Sequence, residues 1–363
     1  MGNWDSYVMV EGDEQVVAFW NDPDRPAGKT LLIMGEGFDP RMNNVLRTFA
    51  EARLEFDCLS IVHGNRRNSP NTDMVAKNIE VRTQLIADHA IPFKEYQLNV
   101  GAGKDLNRGV KFMNKGIAGL IAGYDNILVD ISALPRVLYF NLVKNISKCP
   151  GKRNLFIVVS ENAEIDKSIT YRNFIEDLEP MIGFNPGIGL EAEPDRLRLL
   201  ISLLGENGTA KWKIISDHFS PDEDFPVVPY PSIDPFRTDT IIKEYKELFQ
   251  REDAKENIIY AHERNPFELY KMLSRFIKSE DDILNKVNRK ACYGIALLSS
   301  KLLSVGALLT AMEDDMVNKD DAEVAIYNVI SREYGIDNRD FEEINKKSTT
   351  FLLWITGEAY AES

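Results

Sequence analysis

The chain has 363 residues, of which 44% are hydrophobic and 10% aromatic, enough for a buried core and too many for a disordered chain. A formal net charge of −14 excludes an extended nucleic-acid-binding face, because phosphate backbones need clustered lysine and arginine, although small anions can still bind locally. The 3 cysteines are widely spaced and form no C-x-x-C pair, which indicates a reducing compartment and no structural zinc. Because no apolar run reaches about eighteen residues and the N-terminus lacks a basic-then-apolar leader, we predict a cytoplasmic protein without a membrane partner.

The first residues and the rest of the chain show different patterns. Residues 6–20 alternate around a central glycine, which predicts a hairpin within an N-terminal segment, 1–28. From residue 29 onward, strands and helices alternate. We predict strands at 30–34, 56–62, 126–131, 154–159, 211–216, 257–261, 291–298 and 322–327. We predict helices at 40–53, 71–90, 106–122, 136–147, 194–204, 237–249, 266–278 and 300–313.

This alternation predicts an α/β fold of the Rossmann-like kind. Strands that are apolar on both faces are typical of a mostly parallel sheet with helices on both faces. The sheet belongs either to one large unit or to two α/β halves, 29–217 and 237–335. The proline-rich stretch 218–236 is then a connector or a loop over a site, and the tail 336–363 contains one more strand.

The stretch GEGFDPR, which follows the first strand of this alternation, has the features of an anion site. Asp39 is a preferred helix cap and Pro40 a preferred first helical residue, so a helix begins here. Gly35 and Gly37 let a ligand approach the backbone amides, and the helix dipole attracts negative charge. Arg41 is unfavourable at that helix end unless an anion completes the site. The alternative is that Arg41 pairs with Asp39 or with a neighbouring loop.

Three further junctions repeat this order of strand, polar cap residue and cation. Because parallel strands end at one edge of a sheet, we predict that all four junctions converge on one anion-binding cleft at the topological switch point. The other three junctions contain Asp130, Ser132 and Arg136; His262, Glu263 and Arg264; and Ser299, Ser300 and Lys301.

Several acids and histidines at these strand ends are candidates for catalysis. Asp130, Glu161 and Glu263 are predicted acids, and His262 is a possible base, as is His218 after a further predicted strand. Each of these residue types is also common as a cap or in a loop. Neither H-E-x-x-H nor paired cysteine and histidine ligands occur, so we predict no metal, and nothing in the sequence identifies a cofactor.

In layout, the chain resembles the CRISPR-associated Rossmann-fold (CARF-like) nucleotide sensors and the related sensors of cyclic-nucleotide antiviral systems. Those proteins join a glycine-bearing loop after the first strand to a later strand that ends in small hydroxyl residues and a cation. The resemblance covers roughly residues 29–330 and implies nucleotide binding in a prokaryotic defence or signalling setting. The residues that carry it are Gly35, Gly37 and Asp39; Asp130, Ser132 and Arg136; and Ser299, Ser300 and Lys301.

Three classes of function follow from these observations. The leading hypothesis is a sensor or regulatory subunit that binds a small phosphorylated ligand or nucleotide through helix N-termini, Arg41, Arg136, Arg264 and Lys301. The second is an enzyme that processes a nucleotide or glycosyl group with carboxylates at the same edge. The third is a scaffold subunit of a larger complex, with arginines buried in internal ion pairs and an acidic surface for a protein partner. A homo-oligomer and a complex with a protein partner both remain open alternatives.

Overall fold

A computed structural model of the chain describes residues 2–63, 71–98, 104–151, 153–174, 178–184, 196–318, 323–336 and 341–360. The chain divides into two compact units. The first unit contains residues 6–168 and 334–363, and the second contains residues 1–5 and 169–333.

Strands and helices alternate along both units. The strands are β1 (Val8–Glu11), β2 (Thr30–Gly35), β3 (Asp57–His63), β4 (Phe93–Leu98), β5 (Asn126–Asp130), β6 (Asn154–Glu161), β7 (Ile169–Phe174), β8 (Leu197–Leu203), β9 (Glu223–Pro229), β10 (Ile259–Ala261), β11 (Ala291–Leu297), β12 (Val324–Tyr327), β13 (Ser331–Ile336) and β14 (Thr349–Thr356). The helices are α1 (Asp13–Asn21), α2 (Asn44–Glu51), α3 (Thr72–Asp88), α4 (Lys104–Leu120), α5 (Arg136–Ser147), α6 (Ala163–Ser168), α7 (Thr209–Phe219), α8 (Arg237–Glu244), α9 (Glu252–Glu256), α10 (Pro266–Lys286), α11 (Lys301–Asn318) and α12 (Phe341–Asn345). Short 3-10 turns lie at Pro40–Asn43, Leu248–Gln250 and Glu358–Tyr360.

The first unit contains a seven-stranded sheet in the order β1-β14-β6-β5-β2-β3-β4. Strands β2 to β6 are parallel, whereas β14 runs antiparallel to β6 and β1 antiparallel to β14. If the five parallel strands are counted in chain order, their order in the sheet is 3-2-1-4-5. That is the order of a Rossmann fold, and its topological switch point lies between β2 and β5.

The second unit repeats this arrangement. Its five-stranded sheet has the order β10-β9-β8-β11-β12, and all its strand pairs are parallel. Counted in chain order the strands again follow 3-2-1-4-5, with the switch point between β8 and β11. A separate two-stranded sheet pairs β7 with β13. The predicted α/β class, with mostly parallel sheets surrounded by helices, is confirmed.

Both faces of the first unit's sheet are buried. On one face, Leu32 and Phe156 pack in a cluster with Val45 of α2 and Trp20 of α1. Leu31, next to Leu32 along β2, points to the opposite face and is also buried. Covering both faces explains why these strands are apolar throughout, as the sequence analysis assumed for a parallel sheet.

Three predicted elements have another structure. The hairpin over 6–20 is wrong in its second half, because residues 13–21 form α1, which buries Val16 and Trp20 on one helical face. Residues 197–203, predicted as helix, form β8, and residues 211–216, predicted as strand, lie in α7. Short apolar runs fit a buried strand and a buried helix equally well, so their periodicity alone does not separate the two.

The proline-rich stretch 218–236 contains a strand with neighbours on both sides, β9, and not only a connector. Pro226 is in register with Ser202 of β8 and Pro229 with Ala261 of β10, but neither proline nitrogen stands where a ladder hydrogen bond is needed. The Tyr230 amide donates to the Ala261 carbonyl and therefore points toward β10. Backbone nitrogens an even number of residues apart along a strand point the same way, so the nitrogen of Pro226 also faces β10. It lies one residue before the pairing with β10 begins at Val227. Pro229 faces β8 beyond the last paired residue there, Val227. The chain passes between the two units after residues 5, 168 and 333, and not within this stretch.

Gly35 ends the first parallel strand of the first unit, and Gly205 lies two residues after that of the second unit. At both positions the loop after the fourth strand approaches closely. A Cβ on Gly35 would lie 2.8 Å from Cδ2 of Leu134 and 3.0 Å from the Leu134 backbone nitrogen. A Cβ on Gly205 would lie 2.6 Å from the Leu298 carbonyl oxygen. Close backbone approach therefore selects glycine at both switch points.

We expect Gly35→Ala to lower the free energy of unfolding by about 1–3 kcal/mol, because the added methyl group overpacks against the buried Leu134. Chemical denaturation of the purified chain measures this. Gly119→Ala is the matched control in the same unit, because it adds a methyl group to a helix with nothing within 4 Å. That control should be stabilised by about 0.5–1 kcal/mol. Equal effects of the two substitutions would contradict the close approach.

Candidate functional site

The four predicted junctions lie at two sheets and not at one edge. Arg41 and Arg136 follow β2 and β5 in the first unit. Arg264 and Lys301 follow β10 and β11 in the second unit. The prediction of one shared sheet edge is therefore wrong. The expectation rested on a single sheet, whereas the chain builds two sheets of the same strand order.

Arg41 is buried among carboxylates of its own unit. Its Nε donates to Asp39 Oδ1 at 2.9 Å, and its Nη2 donates to Asp39 Oδ2 and to Asp166 Oδ1, both at 2.8 Å. Burial opposes its charge, but Asp166 and Asp39 outweigh burial and raise the pKa of Arg41 well above its usual value. Arg41 thus owes its place at this helix start to internal ion pairs, the alternative left open by the sequence.

Side chains of this unit also fix the glycine-bearing loop. Asp39 accepts the Arg41 amide at 2.9 Å and caps the 3-10 turn that leads into α2, as predicted. Asn78 of α3 donates to the carbonyls of Gly37 and Asp39, each at 3.0 Å. The amide of Gly37 donates to the thioether of Met42 at 3.4 Å, a weak acceptor. The loop is thus held from one side by α3.

The loop after β5 is the other wall of this switch point. Asp130 is buried and accepts the Ser132 amide at 2.9 Å, and the Ser132 hydroxyl accepts the Ser160 amide of β6 at 2.9 Å. Ser132 and Asp130 thus hold this loop against the neighbouring strand. The half-exposed residues of the two walls are Gly37, Phe38, Ala133, Pro135 and Arg136.

Helix α5 begins at this switch point without a capping side chain. Its first residue is Arg136, and the residue before it is Pro135, whose side chain accepts no hydrogen bond. The 3-10 turn before α2 is capped by Asp39, and α11 is capped by the Ser300 hydroxyl, which accepts the Leu303 amide at 3.1 Å. The start of α5 therefore combines helix amides with a half-buried guanidinium.

A carboxylate of the second unit occupies the start of α7. The Gly208 amide donates to Glu244 Oε1 at 3.2 Å, and the amides of residues 207 and 209 also stabilise the charged carboxylate. Burial raises the pKa of Glu244 and the nearby Glu206 adds to that rise, while the three amides act in the opposite direction. The amides that would hold an anion at this helix start are thus bound to an internal one.

The predicted residues after β10 form a buried network. Glu263 pairs with Arg237 and accepts the Ile233 amide at 2.8 Å. His262 Nδ1 accepts the amide of Arg264 at 3.1 Å, and Asn265 caps α10. The observed contacts of the Glu263 and His262 side chains are therefore structural.

The remaining predicted positions are less enclosed or differ from expectation. After β11, Ser299 is buried and Lys301 is half-buried at the start of α11. Glu161 ends β6, is half-exposed and adds to the negative charge near Arg41. His218 does not follow a strand: it lies exposed in the last turn of α7. In the described ranges, no group of three or more His, Cys, Asp or Glu side chains is arranged to hold a metal ion.

Each unit also holds a buried arginine between two glutamates, which was not predicted from the sequence. In the first unit, Arg82 Nη1 lies 3.1 Å from Glu36 Oε2 and Arg82 Nη2 lies 2.9 Å from Glu95 Oε1. In the second unit, Arg237 donates to both oxygens of Glu206, at 2.8 and 2.7 Å, and also pairs with Glu263. In both units the first glutamate follows the first parallel strand, the arginine lies in the helix after the second, and the other glutamate lies in or just after the third.

A sequence signal for this arrangement does exist. The segments Gly35-Glu36-Gly37 and Gly205-Glu206-Asn207-Gly208 both follow an apolar run. The helix predicted for 194–204 placed the second segment at a helix end, so it was not recognised as a loop that follows a strand. Recognising β8 as a strand would have revealed an internal repeat of the first unit.

Comparisons with known proteins find no specific relative. No family model and no curated protein matches the sequence. Among solved structures, a candidate universal stress protein from Pseudomonas aeruginosa UCBPP-PA14 has a TM-score of 0.23 and 11% identity, over 83% of this chain and 92% of that one. An uncharacterised protein from Mycobacterium paratuberculosis has a TM-score of 0.23 and 8% identity, over 85% and 86% of the two chains.

A third solved structure, histamine dehydrogenase from Rhizobium sp. 4-9, has a TM-score of 0.20 and 8% identity, over 81% of this chain and 44% of that one. TM-scores this low carry no argument about fold or function. The Rossmann-like assignment therefore rests on the strand order of the two sheets. Among the described residues, no helix is long and apolar enough to cross a membrane.

We expect Arg41→Met to lower the free energy of unfolding by about 3–5 kcal/mol, because it leaves Asp39 and Asp166 without their buried counter-charge. Chemical denaturation at neutral pH measures the loss. Arg47→Met is the matched control, because Arg47 lies exposed on α2 and its replacement should change stability by no more than about 0.5 kcal/mol. An Arg41→Met chain as stable as the wild type would show that the ion pairs do not hold the loop.

Proposed function

We propose that the chain binds a small phosphorylated, nucleotide-like ligand at the switch point of the first unit, between the loop after β2 and the loop after β5. Following the layout resemblance to CRISPR-associated Rossmann-fold sensors, we propose that it acts as a sensor or regulatory subunit in signalling or antiviral defence. In this proposal the phosphate contacts the start of α5 and Arg136, and a base or ribose lies against Phe38.

One observation carries the proposal, and it is the start of α5. Four helical segments begin at the two switch points, and three of them have an acceptor from this chain: Asp39 before α2, Glu244 at α7 and Ser300 at α11. Helix α5 begins instead with Arg136 behind a proline. Pro135 in the cap position supplies no side-chain hydrogen bond, and both the helix dipole and the guanidinium favour an anion at this helix start.

The surroundings of this helix start suit a nucleotide-sized ligand. Switch points between the first and fourth strands are where open α/β sheets bind ligands. Phe38 and Arg136 are both half-exposed there, which supplies an aromatic ring for stacking and a guanidinium for phosphate. The acids nearest to the site have structural partners: Asp130 accepts the Ser132 amide, and Asp39 is paired with Arg41. Ligand binding therefore accounts for the geometry without assigning a reaction to these groups.

Calorimetric titration of the full chain with pyrophosphate, AMP, ATP and cyclic dinucleotides tests the proposal. At least one of these should bind, and Arg136→Gln should weaken its binding about 10- to 100-fold, the loss expected for a charge-assisted hydrogen bond of about 1.5–3 kcal/mol. Thermal unfolding of the ligand-free variant shows separately whether the substitution changes the stability of the fold.

Arg47→Gln is the control, because it removes an exposed guanidinium from α2 in the same unit. It should leave the dissociation constant unchanged. The proposal is wrong if no compound of the panel binds at millimolar concentration, or if Arg136→Gln binds as tightly as the wild type. It is also wrong if Lys301→Gln, in the second unit, causes the larger loss.

A further inference from the structure

The loop between β9 and α8 of the second unit exposes large apolar side chains and is not part of the proposed ligand site. The side chains of Tyr230, Ile233 and Phe236 are 59%, 67% and 73% exposed, and all three lie in the loop between β9 and α8. Tyr260 of the edge strand β10 is 49% exposed, and its ring centroid lies 6.0 Å from that of Tyr230. We call these four residues the aromatic loop surface.

Buried polar groups form hydrogen bonds with the backbone of this loop and hold it in place. The Ile233 amide donates to Glu263 Oε2 at 2.8 Å, and the Glu263 amide donates to the Pro231 carbonyl at 3.1 Å. At the far end, Arg237 is buried between Glu206 and Glu263. The loop is therefore held in one conformation while its apolar side chains point outward, so a partner would have little ordering entropy to overcome.

This combination is unusual for a surface that faces only water. Scattered exposed apolar residues are normal, but here they are concentrated in one loop and the strand next to it. Aromatic side chains are enriched in protein interfaces and supply much of their binding energy. The buried network would fix a polar loop equally well, so it does not explain the aromatic residues. Contact with another protein does.

The charges around the loop indicate the chemistry of that protein. Asp234 and Asp239 lie in or beside the loop, and with Glu206 and Glu263 they make four carboxylates against the guanidinium groups of Arg237 and Arg264. The surplus is negative, as it is for the whole chain at −14. Nucleic acid and anionic membranes are repelled by such a surface, and so is a second copy of this chain.

We propose that the aromatic loop surface docks a basic segment of a partner protein, one in which lysine or arginine alternates with apolar side chains. The apolar side chains of the segment pack on Ile233 and Phe236, and its cations face Asp234 and Asp239. The acidic surroundings then increase the association rate and select against acidic partners. The site neither requires nor excludes a ligand in the first unit.

A displayed library of random peptides, selected on the full chain, tests this inference. Selection on the wild type should enrich peptides that combine basic and apolar residues, and the Ile233→Ser/Phe236→Ser double variant should not retain them. For the most enriched peptide, the double variant should raise the dissociation constant measured by fluorescence anisotropy about 10-fold or more. Asp239→Asn should raise it less, and added salt should weaken binding.

Val317→Ser is the control, because Val317 is 73% exposed on α11 and lies outside the aromatic loop surface. It should bind the peptide as the wild type does. All three variants should unfold at the wild-type temperature, since the replaced side chains are exposed. The inference is overturned if the double variant selects the same peptides, if the enriched peptides are acidic, or if none is enriched. Failure here leaves the titration of Arg136→Gln unaffected, so the two proposals can fail separately.

Discussion

In each unit, a buried arginine between two glutamates holds the loops at the carboxyl edge of the sheet in place. Arg82 and Arg237 each lie in the helix after the second parallel strand and bind Glu36 or Glu206, the acid that follows the first. This contact fixes the loop at the switch point, where Gly35 or Gly205 meets the loop after the fourth strand. Breaking such a buried pair costs about 3–5 kcal/mol, so the geometry of both switch points depends on it.

The same kind of ion pair neutralises several arginines near the edges of the two sheets. Arg82, Arg237 and Arg41 lie between carboxylates of their own unit and contribute no surplus cation to the sheet edges. At α7 even the backbone amides hold an internal carboxylate, that of Glu244. The proposed ligand site therefore uses the start of α5, where Arg136 adds a cation to the helix dipole.

The sequence predicted the fold class and most elements, because long apolar strands and capped helices carry strong local signals. Asp39 and Pro40 marked their helix start correctly for this reason. The prediction failed where one pattern fits two structures. The apolar run of β8, for example, fits a buried helix equally well. For Arg41 the sequence left two alternatives open, because its second partner, Asp166, is 125 positions away in the chain. Local spacing cannot reveal such a distant partner.

Hydrogen–deuterium exchange of the full chain, with and without saturating amounts of the tightest-binding nucleotide, tests the central claim most directly. Amides at the start of α5, residues 136–137, and in the loop 35–39 should gain protection, because the ligand contacts them. Amides at the starts of α7 and α11, which already have acceptors in Glu244 and Ser300, should exchange as before. Protection confined to those two helix starts, or an unchanged start of α5, would contradict the account.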